Sequence, residues 1–302
     1  MTMTNHHNLS ESIDVELHQP LSLTRNFFSR GLTFLAFALT ALALLPLFAI
    51  LYQILAEGFG HLSWEVLVSL PAPMGVEDQP NGFANAIVGT FIMVGIATLF
   101  SLPIGVMTGI FLAEFSRDHK IIAHIIRFIT VILSSVPSIV VGVFAYALIV
   151  VTTKTFSALA GGFALSIIML PMVALTTEEA LKLVPTSYRL ASAALGGGRF
   201  QSMFRVIIPS ALPTITTGVL LAAARAAGET APLIVTALSS QFWSEDLLSP
   251  TASMSVLIYS YASSPYKEQN ELAWTAGAVL LMMVLLSSIL SRIVTSKQLK
   301  TR

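Results

Sequence analysis

No cysteine occurs among the 302 residues, which excludes disulfides and thiolate metal sites and leaves the compartment open. Charge is scarce too. Only 11% of the chain is Asp, Glu, Lys or Arg, against about 25% in an ordinary soluble domain. That is too little to cover the one or two soluble domains this length would otherwise make. Lys plus Arg equal Asp plus Glu at 16 each, so the basic stripe that a nucleic-acid partner requires is missing. Residues 1–24 contain Glu11, Asp14 and Glu16 but no Lys or Arg. The apolar run that follows is too long for a signal h-region, so no cleavable signal is expected. No glycine-rich loop ending in Gly-Lys-Ser/Thr is present, so the chain is not expected to cradle ATP. The histidines at 6, 7, 18, 61, 119 and 124 show no metal-ligand spacing apart from His6-His7, which reads as part of a terminal tail. No Ser/His/Asp or Cys/His set can be assembled, and nothing points to an enzyme.

What is abundant is apolar sequence, 55% of the chain, with a mean hydropathy of +0.80. A bilayer core of ~30 Å takes roughly 20 apolar residues of helix. Apolar stretches with few or no charges at about 31–56, 83–113, 128–152, 160–181, 210–238 and 271–291 supply six candidates. Backbone groups in lipid must bond internally, so these predict helices. The fold class is all-α, a polytopic membrane protein of about six spans. A tail at 1–30 precedes a transmembrane domain at 31–295, and a second tail covers 296–302. With the N-terminus inside, the cytoplasmic segments hold Arg25, Arg30, Arg117, Lys120, Arg127, Lys182, Arg189, Arg199, Arg205, Arg292, Lys297, Lys300 and Arg302, and the other side only Lys154 and Lys267. That asymmetry predicts cytoplasmic termini. Trp64, Trp243 and Trp274 then all fall near the outer boundary, where indoles are well placed. The outer segment 239–270 contains an apolar stretch at 252–261, too short for a seventh span and fitting an interfacial or re-entrant helix.

Two places carry functional signals. The first is the inner loop 182–209. Pro185 stops the preceding helix, and Thr186 or Ser187 can cap a new one. Tyr188, Ala191, Ala194 and Leu195 share a face at helical spacing, and Gly196–Gly198 end that helix. Phe200, Phe204 and Ile207 or Ile208 build a second apolar face, closed by Pro209. Two short amphipathic helices joined by a glycine hinge suit a partner's groove or the bilayer surface.

The second place is Ala222–Pro232 in the fifth span. Arg225 sits mid-membrane, at a cost of roughly 2.5–3.5 kcal/mol on insertion scales. Glu229, four residues on, is expected on the same helical face as its neutralising partner. Thr214, Gly218, Leu221 or Ala222, Arg225, Glu229 and Thr236 form one stripe. The pair is open to two readings, a structural tie between helices or a contact for an anion in transit, for which forked guanidinium donors are suited. Glu178 and Glu179, near the inner end of the fourth span, fit either solvated carboxylates at a membrane edge or an inner gate.

Ala191-Ser192-Ala193-Ala194-Leu195-Gly196, followed by Val206-Ile207-Ile208-Pro209, resembles the EAA loop of bacterial ABC importer permeases. Leu190 stands where that motif usually has Glu. The runs 85–90, 109–115, 136–142, 176–185 and above all 224–243 are similar to the PstA permease subunits of phosphate-specific ABC importers, over about residues 46–295. This resemblance implies the type I ABC importer permease fold in the bacterial inner membrane. It implies a coupling role toward an ATPase for Tyr188, Ala191, Ala194, Leu195, Gly196, Phe200 and Pro209, and a phosphate pathway through Arg225, Glu229 and Thr230. The implied partners are phosphate ion, a PstC-like permease, a PstB-like ATPase dimer that binds the ATP, and a PstS-like outer binding protein. PstA-like chains commonly carry Arg where this one has Leu175. The alternatives are the sister permease, an importer of another oxyanion such as sulfate or molybdate, and a gradient-driven carrier or channel.

Overall fold

The computed structural model describes residues 23–73, 80–116 and 118–300, with side chains up to residue 289. The His6-His7 pair, Arg117 and the basic residues beyond 289 lie outside the described side chains. Two units are distinguished, 1–53 and 54–302. The first unit's described part belongs to helix α1 (Leu23–Gly60), which contains Pro46. Its side chains from Thr24 to Ile50 are all exposed, as an apolar surface in lipid is.

All regular structure among the described residues of the second unit is helical. After the short α2 (Trp64–Val68) come α3 (Ala84–Phe115), α4 (Lys120–Ser135), α5 (Ser138–Thr153) and α6 (Ala158–Lys182). Then follow α7 (Thr186–Ala194), α8 (Arg199–Ala227), α9 (Ala231–Ile234), α10 (Met254–Ala262) and α11 (Lys267–Lys300). Among the described residues, five helices are long and apolar enough to cross a membrane, and α4 with α5 makes a sixth if that bent pair is one span.

Apolar side chains gain little by leaving lipid for protein, so close backbone approach holds such helices together. The α3–α6 pair shows this. A Cβ on Gly105 would lie 2.8 Å from a Val173 methyl carbon, and one on Gly109 would lie 2.6 Å from the Ala174 carbonyl oxygen. Only glycine fits there. These contacts advance in step along both helices, which therefore run parallel, with α8 returning against α6. Met93, Ala97, Leu165, Met169, Val173, Ala222 and Ala226 fill the centre.

Two expected spans come out differently. The stretch 128–152 is not one straight helix: α4 and α5 meet at 102°. Pro137 has no N–H and drives the residue before it out of the helical region, and Val136 sits at φ −67°, ψ 131°. The stretch 210–238 is also broken. α8 ends at Ala227, where the Gly228 N–H bonds back to the Arg225 carbonyl at 3.0 Å and Glu229 N–H to the Ala226 carbonyl at 3.2 Å. The chain then climbs through α9 to Thr236, whose carbonyl accepts from Ser157 N–H at 3.0 Å. It dips back at 251–257, which is buried and includes the first residues of α10. The apolar stretch read at 252–261 is thus a helix of nine residues, with its first turn among the spans.

Candidate functional site

Arg225 occupies the last turn of α8, beside the middle of α6. Its guanidinium sits where the negative end of the helix dipole favours a cation. Glu229 lies beyond the helix end and not on the same helical face, because the chain turns at Gly228. The turn nonetheless brings Glu229 Oε1 to 3.6 Å from Arg225 Nε. The expected stripe stops at Arg225, and Thr236 is buried further along the irregular segment. Arg225 keeps 64% of its side chain exposed and Glu229 17%.

Both line a partly open cavity of about 490 Å³. The α4–α5 corner supplies Leu133, Ser134, Val136, Pro137 and Ser138, and α6 supplies Ile168, Pro171, Met172, Leu175 and Thr176. Arg225 and Glu229 are the charged residues among those lining it. The first turn of α5 (Ser138) opens at the same cavity and adds the positive end of a second helix dipole. Leu175 therefore adds an apolar wall opposite a guanidinium. Thr230 starts α9 and is not among the cavity-lining residues.

The two carboxylates read as one feature separate. Glu179 is exposed. Glu178 is 2% exposed, its Oε1 held by Arg127 of α4 and, at 2.5 Å, by Lys182 one turn on. It is not a solvated edge carboxylate, and it does not line the cavity.

At the end of the unit where α3 and α6 finish, α7 presents Tyr188, Ala191, Ala194 and Leu195 as exposed side chains, with Leu195 90% exposed. Pro185, rather than the side chain of Thr186 or Ser187, precedes the first turn, and no side-chain cap forms. The C-terminus closes as expected. Gly196 takes φ +80°, its N–H bonds to Ala193 O at 3.0 Å, and Gly197 N–H bonds to Ser192 O at 2.9 Å, a Schellman closure. The second amphipathic segment is not a separate helix. From Arg199 it runs into the span through a wide turn at Met203–Ile207, where Ile208 N–H reaches back to Met203 O. That turn lets the helix pass Pro209, which lacks an N–H. Phe200 and Phe204 remain exposed.

Sequence reasoning missed what holds this loop. Arg189 donates to Glu114 Oε1 at 2.5 Å, to Val184 O at 2.9 Å and to Leu181 O at 3.2 Å. Arg199 pairs with Asp118, donates to Glu114 O and stacks 4.7 Å above the Phe115 ring. The available signal was two acids four residues apart at the end of the second span and two arginines flanking the glycine hinge.

Residues 105–300 match the family described as binding-protein-dependent transport system inner membrane component. The chain shares its fold with the bacterial alginate ABC transporter solved with an alginate-bound periplasmic protein: TM-score 0.60, 15% identity, 90% of this chain and 98% of that one. It shares it also with the inward-facing MetNI methionine ABC transporter: TM-score 0.55, 19% identity, 71% and 93%. Fold and matched segment thus define a permease of the ABC importer class. The "Phosphate transport system permease protein PstA" of Haemophilus influenzae is 41% identical over 271 residues, 89% of this chain and 93% of its own length. The "Probable phosphate transport system permease protein PstA" of Methanocaldococcus jannaschii is 37% identical over 253 residues, 83% and 88%. The chain belongs to the PstA family of permeases.

Proposed function

We propose that this chain is the PstA-type permease subunit of an ATP-driven importer of inorganic phosphate, with Arg225 meeting the anion in transit. The observation that carries this reading is the placement of that guanidinium: largely exposed, on the wall of an open cavity between α4, α5, α6 and α8. A lone arginine against lipid costs several kcal/mol, whereas one that lines a watery cavity does not. Its forked donors suit a tetrahedral oxyanion. Glu229 at 3.6 Å tempers the attraction, so that an ion can leave as readily as it enters.

The chain sits in the bacterial inner membrane with both termini cytoplasmic, a reading supported by the basic residues gathered around α7. A PstC-like permease completes the pathway, a PstS-like protein delivers phosphate from outside, and a PstB-like ATPase pair docks on the exposed α7 face. ATP itself is bound by that pair, and closure of the pair moves the 183–198 loop and switches the access of the cavity. Labelled-phosphate uptake into proteoliposomes holding the full complex tests the proposal, with sulfate and molybdate as competitors. Arg225→Gln abolishes uptake while the complex still assembles; undiminished uptake in that variant returns the Arg225–Glu229 pair to a purely structural role.

A further inference from the structure

The loop that the proposed function assigns to the ATPase is grasped at both ends by one span that is not its neighbour in sequence. Arg189, within α7, reaches Glu114 at the end of α3 at 2.5 Å, and the two side chains are only 29% and 13% exposed. The same guanidinium also takes the Leu181 and Val184 carbonyls at the end of α6. Arg199, after the glycine hinge, takes Asp118 and the Glu114 carbonyl. Exposed ion pairs contribute little. This arrangement differs: the first pair is mostly buried, its guanidinium is shared among three acceptors at the ends of two helices, and the second grips the far side of the same hairpin.

We infer that the Arg189–Glu114 and Arg199–Asp118 pairs form a clamp that transmits the motion of the α7 loop sideways into α3, and that these four are positioning residues for the transport stroke. The inference rests on the proposed transport function. From α3 the displacement has a stiff route onward. At Gly109 a Cβ would sit 2.6 Å from both Ala174 O and Thr177 Cβ, so α3 cannot shift without α6. On α6, Thr176 lines the Arg225 cavity and packs against Gly218 of α8, where a Cβ would lie 2.6 Å from Thr176 Oγ1. Close-packed helices move between discrete arrangements instead of deforming, so a tug at Glu114 reaches the wall opposite Arg225.

The test uses the complete complex of both permeases, the ATPase pair and the binding protein in proteoliposomes, and measures labelled phosphate imported per ATP hydrolysed. Arg189→Gln and Glu114→Gln are each expected to lower that ratio by about 2- to 30-fold, the usual range for residues along a coupling route. ATP hydrolysis continues in both. The double variant falls no further than either single one, because both remove the same link. Arg199→Gln and Asp118→Asn, whose side chains are half exposed and whose substitution is therefore expected to leave assembly intact, give the same pattern and decide the matter if the Arg189 variants fail to assemble. An unchanged ratio in both pairs, or losses that multiply in the double variants, overturns the clamp. A wild-type complex that imports no phosphate overturns the transport reading itself, whereas wild-type import with unaltered variants sinks only the clamp.

Discussion

Replacing Glu178 by glutamine, and separately both its cationic partners by alanine, asks whether this carboxylate gates the pathway or anchors α4 to α6. Glu178 is 2% exposed, while Arg127 and Lys182 retain 46% and 52% of their side-chain exposure. In Glu178→Gln the two cations lose their partner but turn to water, so the loss is that of charge-assisted hydrogen bonds, about 1.5–3 kcal/mol. In the Arg127→Ala/Lys182→Ala variant the carboxylate stays buried and alone, and breaking a buried pair in that way costs about 3–5 kcal/mol. Thermal melting of the purified complex in detergent is therefore expected to fall further for the double cation variant than for Glu178→Gln. Phosphate uptake by Glu178→Gln stays within about twofold of wild type, since a group worth little in the transition state changes rate little and Glu178 does not line the cavity. Abolished uptake with unchanged melting in Glu178→Gln refutes the anchor and makes the residue a gate. Equal melting losses in the two variants refute the burial argument.

Gly109→Ala forces a Cβ into backbone 2.6 Å away, which no rotamer change relieves. The α3–α6 seam opens at a cost of about 1–3 kcal/mol, read as a lower melting temperature together with reduced uptake. Leu175→Arg places a second guanidinium on the cavity wall; it lowers the KM for phosphate and also the maximal rate, because a pathway must release what it binds. The Arg199 guanidinium, through its hydrogen bond and its charge, holds Asp118 below the ordinary 3.8. A depressed carboxylate contributes above its unfolded pKa of about 3.9 and loses that contribution only as pH falls through the lower folded value. The Arg199–Asp118 pair is thus expected to stay intact between about pH 5 and 8, so a drop in phosphate imported per ATP across that window is assigned to another group, the second ionisation of phosphate included.

Much of the helical frame was legible because its signal is local. The stretches read at 83–113 and 160–181 correspond to Ala84–Phe115 and Ala158–Lys182, since a long apolar run has only one way to satisfy its backbone in lipid. The same rule misled where an apolar run continues past a break. Gly228, Thr230 and Pro232 let 210–238 pass as apolar, although the helix stops at Ala227. Val136-Pro137 sat inside 128–152, where the restriction on a residue before proline marks the corner. The Arg225–Glu229 pairing was legible from the spacing, but the cavity was not, because Ser134 and Ser138 approach Arg225 only once α4 and α5 have bent. The partners of Arg189 and Arg199 lie 75 and 81 residues away, and charge sign alone does not choose them from a distance.

The irregular segment after α8 has a consequence for biogenesis. Its carbonyl at Thr236 is met by Ser157, its N–H at Met254 by the Thr90 hydroxyl at 2.9 Å, and the Glu229 carbonyl by Ser255 at 2.9 Å. Apart from Ser255, these partners belong to other helices, and a peptide cannot enter hydrocarbon with such groups unmet. This segment therefore cannot enter the bilayer as an independent hairpin. It slots in after α3 and α6 have inserted and paired, which makes the arginine-bearing end of α8 among the last parts of the subunit to mature.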